Sequence, residues 1–312
     1  MNAGISESRR LDVVDVARGF ALAAMAGYHF TWDLAYFGVV DPLTPFTPPM
    51  RLASALIGGA FFALAGLSLA LAHDGGFRAR GYWRRLGRIG AAAALVTAAT
   101  YAVAPRTPIL FGILQCLFVA SLVARPLLGR PWAAVAVGLV LIALPLIFAS
   151  PAFNPPWLIW LGLNTLDPAT LDWRPLMPWG GVVLVGLGLG RLAPRPPAWR
   201  ARPAPIRGLA FAGRHSLAIY LIHQPILIGL LYGALHATGY ADRLSAQLYE
   251  KTCRPACVEA GGGVEACARA CACVVRGASA AGLAGRLGAH EVSRAERGRI
   301  GAIVETCGEQ ER

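Results

Sequence analysis

The sequence predicts an all-α polytopic membrane bundle of about seven spans, followed by a small disulfide-rich helical tail. Three observations predict it. Of 312 residues, 56% are hydrophobic and 15% charged, against about a quarter charged in a soluble domain, and the mean hydropathy is +0.52. Apolar runs of about the length needed to cross a hydrocarbon core recur through the first three quarters of the chain. Six of the seven cysteines then gather in the last quarter.

The apolar runs fall at about 13–38, 52–73, 86–104, 108–124, 132–150, 176–193 and 211–236. Arginine sets their direction. Arg9 and Arg10 precede the first run, Arg78, Arg80, Arg84, Arg85 and Arg88 fill the second connection, and Arg125 and Arg130 the fourth. The sixth holds Arg191, Arg195, Arg200, Arg202 and Arg207, while the odd connections hold only Arg51, Arg106 and Arg174. The positive-inside rule then puts the N-terminus and even connections in the cytoplasm, and an odd number of spans puts the C-terminus outside. The expected location is the cytoplasmic (inner) membrane, with membrane lipids as the surrounding partner. The net charge of +12 reports this topology and not nucleic-acid binding, because no basic stripe accompanies a nucleic-acid-reading motif. The first run is longer than a signal-peptide core and lacks a small-residue cleavage site, so it reads as an uncleaved span.

Within that first run, DVARGFALAAMAGYHFTWD (15–33) carries ionisable groups at membrane depth, where each marks a candidate site. Arg18 and His29 are eleven positions apart, nearly three turns and about 16 Å of rise, so they share one helix face. Asp15 lies one turn before Arg18 and Asp33 one turn after His29. The first pair suits an interfacial ion pair with Arg18 reaching to the headgroups. The second suits a general base, since a carboxylate can fix and charge-balance an imidazole. A structural histidine–carboxylate pair is the competing reading. No ligand set for a metal is expected.

Two domains are expected, 1–238 in the membrane and 239–312 as an extracytoplasmic tail. In the tail, Cys253/Cys257 and Cys267/Cys271 are i,i+4 pairs, each on one helix face, separated by the turn-forming VEAGGGVEA. Antiparallel helices would nest them as Cys253 with Cys271 and Cys257 with Cys267, leaving Cys273 for Cys307; a zinc site is the alternative.

Other polar groups sit in or beside apolar runs. His215, His223 and Gln224 in GRHSLAIYLIHQP (213–225) precede Pro225, which frees a backbone carbonyl to line a cavity. Gln115 in FGILQCL (111–117) suits either a site or a neighbouring helix. Trp157, Trp160, Trp173 and Trp179 surround the long outer loop, with Arg174 among them, and suit interfacial anchoring or acceptor stacking.

RLDVVDVARGFALAAMAGYHF (10–30) resembles the first helix of the transmembrane acyltransferase superfamily, where an arginine, ten residues and a histidine mark the segment. YHFTWDLAYFG, FFALAGLSLALA (61–72), FGILQCL, DWRPLMPWGG (172–181) and GRHSLAIYLIHQP are similar, in order, to the bacterial branch related to heparan-alpha-glucosaminide N-acetyltransferase. The resemblance covers about residues 9–236. It implies transfer of an acyl group, usually acetyl from cytoplasmic acetyl-CoA, to an extracytoplasmic sugar hydroxyl or amine. His29 matches the superfamily's essential histidine, and the implied acceptor is a bacterial-type glycan or glycolipid. Two other classes fit the composition: a seven-span transporter or sensor, and a membrane cytochrome with histidine-ligated haem.

Overall fold

The computed structural model describes residues 12–194, 203–287 and 292–309. Among them are eleven α-helices and no strand. Arg9, Arg10, Arg195, Arg200 and Arg202, which carry part of the expected positive-inside asymmetry, lie outside the described residues. The helices are α1 (Asp12–Tyr36), α2 (Pro48–Ala72), α3 (Ala79–Val103), α4 (Ile113–Ala124), α5 (Pro131–Ile147) and α6 (Leu176–Leu192). They continue as α7 (Ala204–Arg214), α8 (Ser216–Ala237), α9 (Tyr240–Glu259), α10 (Val264–Ala280) and α11 (Arg294–Glu309).

By length and composition, α2, α3 and α8 can cross a membrane. Helices α4 (with its 3-10 extension to Leu127), α5 and α6 are apolar but at most 17 residues long, and α1 carries Asp12, Asp15, Arg18 and Asp33. Helix starts differ from the sequence reading at α2, which begins four residues earlier, and at α4, which begins five residues later; two larger differences have a physical reason. Arg80, Arg84, Arg85 and Arg88 lie on the first turns of α3 and not in the connection before it. Arginine is a good helix former whose stem can lie along apolar surface, so a hydropathy window cuts such a helix short. The seventh run is two helices, because α7 ends at Arg214 and His215 departs from helical geometry at φ −104° and ψ 22°.

The described residues divide into two compact units: those up to Phe30 with Pro45–Gln224, and Thr31–Thr44 with those from Pro225 onward. In the first, α6 packs against α2, α4 and α5. Lipid tails give helices no hydrophobic reason to associate, so close backbone approach through small residues is what favours packing. The glycines of α6 and its neighbours provide it. A Cβ built on Gly66 of α2 would lie 2.0 Å from the Val183 carbonyl oxygen, and one on Gly186 would lie 2.4 Å from that of Ala63. Gly138 of α5 and Gly181 face each other in the same way. Leu184 and Leu187, fully buried, fill the seam with Leu69, Leu86 and Ala134.

In the second unit, α9 and α10 are antiparallel, joined through Gly261 at φ +96°. Disulfides join Cys253 to Cys271 and Cys257 to Cys267, the nested order that the spacing predicts, and Cys273 to Cys307 of α11. Gly262 is required beside the inner bridge, since a Cβ there would lie 2.4 Å from Cys267 Sγ. The apolar core is small: Val274, Ala278, Leu283 and Leu287 with Cys307. Cross-links therefore matter here, each typically contributing about 2–4 kcal/mol. At the start of α11, Ser293 Oγ accepts the Glu296 N–H at 3.2 Å and Glu296 Oε2 accepts the Ser293 N–H at 2.9 Å, a reciprocal N-terminal cap.

Two outcomes follow from this packing. Gly66→Ala should lose about 1–3 kcal/mol by overpacking, read as a lower melting temperature in detergent. Gly87→Ala, whose added Cβ meets nothing within 4 Å, should melt at or above wild type; equal melting of the two variants would contradict the account of the α2–α6 seam. In the tail, non-reducing peptide mapping should recover the three linkages; free thiols at those six positions or a Cys253–Cys257 linkage would contradict it.

Candidate active site

The site is built where the ends of the first and last sequence motifs meet in the first unit. The crossing of α1 and α7 brings them together. A Cβ on Gly19 would lie 2.2 Å from the Leu209 carbonyl oxygen, and one on Gly213 would lie 1.8 Å from that of Asp15. Only glycine permits this contact, which explains Gly213 at the head of GRHSLAIYLIHQP. The break at His215 then starts α8, whose first turns pack through Leu217, Tyr220 and Leu221 on Ala92, Ala93 and Leu114 of α3 and α4.

This arrangement places His223 of α8 against His29 of α1, ring centroids 5.0 Å apart and meeting edge to face. His223 Nδ1 lies 2.7 Å from the Tyr220 carbonyl oxygen. A carbonyl only accepts, so Nδ1 carries the proton and Nε2 presents a lone pair. That Nε2 is buried and has no hydrogen-bond partner among the described residues. His223 and Arg174 both lie in electrostatic range of His29.

Arg174 arrives on the loop before α6 and is held from several sides. Its backbone N–H donates to the Phe111 carbonyl at 3.0 Å, and its guanidinium donates to Ser54 Oγ of α2. Its Nε lies 3.4 Å from Asp172 Oδ1, and its Cζ sits 4.9 Å from the Trp179 ring centroid. Asp172 also serves the next helix, because its Oδ2 accepts the Ile113 N–H at 3.0 Å, closing the N-terminus of α4 where a negative charge is favoured. Burial pushes the Asp172 carboxyl above its usual range, opposed by Arg174 and the Ile113 N–H. Gly112 is needed there, because a Cβ would lie 2.6 Å from Asp172 Oδ2.

The other residues singled out in the sequence take different places. Gln115 serves the fold: its Oε1 accepts the Gly112 N–H at 3.1 Å, and its Nε2 donates to Thr97 Oγ1 and the Ala93 carbonyl at 2.9 and 3.2 Å. Both donors are thus engaged by α3. His215 is exposed at the α7–α8 break, with Nδ1 2.9 Å from the Phe211 carbonyl oxygen. Asp15 and Arg18 form an ion pair at 3.2 Å, and Arg18 also bonds Ser68 Oγ of α2. Arg18 lies about 16 Å and Asp15 about 21 Å along α1 from His29. Asp33 is buried, and Gln224 is half-buried beside His223 in sequence. The Trp173 indole N–H is buried with no acceptor among the described residues. Among the described residues no group of three His, Cys, Asp or Glu side chains is placed to hold a metal ion.

Sequence reasoning did not pick out Asp172, Ser54 or Tyr220. Asp172 stands in DWRPLMPWGG, so its signal was present. Ser54 carries no local signal, because its role depends on α2 meeting a loop 120 residues away. An apolar cavity of about 510 Å³ opens beyond Phe111, bounded by Leu110, Val119, Ile159 and Trp160.

The caps around α4 set one outcome. Asp172→Ala leaves the Ile113 N–H without its acceptor and should cost about 1–3 kcal/mol. Asp172→Asn keeps an acceptor and should cost less; thermal melting in detergent that ranks the two the other way would contradict the capping role.

No curated protein and no solved structure matches the chain. Residues 10–225 match the family described as heparan-alpha-glucosaminide N-acetyltransferase, catalytic. That match contains His29, Arg174 and His223, and it places this membrane-helical chain in the heparan-alpha-glucosaminide N-acetyltransferase catalytic-domain family, a family of membrane acetyltransferases.

Proposed function

We propose that the protein takes an acetyl group from cytoplasmic acetyl-CoA and passes it to an extracytoplasmic glycan or glycolipid. The observation that carries this reading is the meeting of His29 and His223, from the first and last motifs, beside a guanidinium held in place. In this reading α1 to α6 and α8 are the seven spans, with the N-terminus inside the cell and the cysteine-rich tail outside.

His29 acts as general base. It removes the proton from the acceptor hydroxyl or amine as that atom attacks the thioester carbonyl carbon. The new C–O or C–N bond forms, the C–S bond breaks, and the CoA thiolate leaves and is protonated in turn. Asp33 balances the imidazolium charge transiently carried by His29. A second course, with His29 itself transiently acetylated, uses the same groups. Arg174, Trp173 and Trp179 meet the acceptor, and Gln224 and His223 line the path. Asp15 and Arg18 support α1 at its other end. The apolar cavity beyond Phe111 supports a lipid-linked acceptor, since apolar lining would suit its chain.

The cytochrome reading fits this geometry less well. Two axial histidines stand on opposite faces of a haem, whereas these rings meet edge to face at 5.0 Å.

The test incubates membranes with labelled acetyl-CoA and compares extracytoplasmic glycans and glycolipids from cells with and without the gene. His29→Ala, at unchanged protein level, should lower label transfer by about 100-fold or more, the scale of general-base catalysis. Asp33→Asn should be milder. Wild-type transfer by His29→Ala would overturn the assignment.

A further inference from the structure

The exposed arginines that this chemistry does not use concentrate at one end of the first unit. Between Asp74 and Asp167 the chain has no acidic residue. In that interval Arg78, Arg80, Arg84, Arg88, Arg125 and Arg130 are all exposed, at the ends of α2 and α4 and the starts of α3 and α5. Asp74, the carboxylate that bounds this interval, is ion-paired with Arg191 at 3.3 Å.

Aromatic rings are built into this end. His73, 3% exposed, holds its Nδ1 3.0 Å from the Leu69 carbonyl oxygen. Its ring stacks on Phe77 with centroids 5.6 Å apart and meets Tyr82 edge-on at 5.9 Å. Tyr82 is buried, and its hydroxyl donates to the Ser121 carbonyl at 2.8 Å, which ties α3 to α4. On this base Phe77 and Trp83 stay 46% and 49% exposed. Arg125 lies over both, its Cζ 5.6 and 5.7 Å from their centroids. Its guanidinium has no carboxylate or hydrogen-bond acceptor among the described residues.

We propose that this aromatic and arginine platform docks the phosphate headgroup of an anionic phospholipid. A guanidinium laid against rings keeps its N–H edge available, and that edge matches phosphate oxygens two at a time. Aromatic rings at the ends of membrane-length helices lie at headgroup depth. Basic clusters there attract anionic lipid by about fivefold per arginine. The arginines form a rim over four helix ends, which suits a leaflet offering many phosphates. The proposal rests on the chain being membrane-embedded and is independent of the acetyl-transfer chemistry.

The test uses the full chain, purified and released from micelles containing phosphatidylglycerol or phosphatidylcholine, with retained lipid counted by native mass spectrometry. Wild type should retain phosphatidylglycerol over phosphatidylcholine. Arg125→Gln should weaken that retention about fivefold or more and leave phosphatidylcholine unchanged, with Arg125→Lys intermediate. Should Arg125→Gln melt early, the double variant Arg84→Gln/Arg88→Gln, at exposed positions, is read in the same way and should lose at least as much. Equal phosphatidylglycerol retention by wild type and the double variant would overturn the proposal. Displacement of the lipid by adenosine 3′,5′-bisphosphate would also overturn it, in favour of a nucleotide-phosphate site.

Discussion

The described architecture depends on backbone meeting backbone at glycine. In lipid, apolar side chains gain little by leaving apolar surroundings, so contact area and small residues decide which helices touch. Gly66 and Gly186 set α2 against α6, Gly138 and Gly181 set α5 against α6, and Gly19 and Gly213 set α1 against α7. The last of these matters most for chemistry. By fixing where α7 crosses α1, it fixes where α8 begins, and so which turn of α8 faces His29.

A second constraint is that every charge held among apolar helices needs a counterpart. Arg18 has Asp15 and Ser68, and Arg174 has Asp172, Ser54 and the face of Trp179. These partners do more than offset desolvation. Asp172 also caps α4, so the cation beside the histidines and the helix that packs under α8 are positioned by one carboxylate. Structure and site are thus coupled through a single side chain, and the loop that carries it cannot shift without moving both.

Much of this is legible in the sequence because it is local. The Arg18/His29 stripe follows from helical periodicity, and the nested disulfides follow from two i,i+4 cysteine pairs and a glycine turn between them. The glycine-rich GGVVLVGLGLG (180–190) holds no polar side chain, but it lies on the helix that packs closely against α2 and α5. What cannot be read is what depends on crossing geometry. Spacing along α1 draws attention to Asp33 as the group beside His29, whereas the group brought to it from elsewhere in the chain is His223. Gln115 looks like a buried polar group in search of a ligand, yet its partners Thr97 and Ala93 lie on the preceding helix, a turn beyond any local pattern. Hydropathy also shortens α3 by about seven residues, because arginines at a helix start lower the average without ending the helix.

The central claim is that α1 and α8 present His29 and His223 to one another in a single site. Substituting both histidines by cysteine and treating the purified protein in micelles with a short bifunctional maleimide tests it directly. The account predicts a cross-link between positions 29 and 223, recovered by mass spectrometry of proteolytic peptides, since ring centroids at 5.0 Å bring the two side-chain tips together. Separate adducts or free thiols at the two positions, with the tail's three bridges intact, would contradict it.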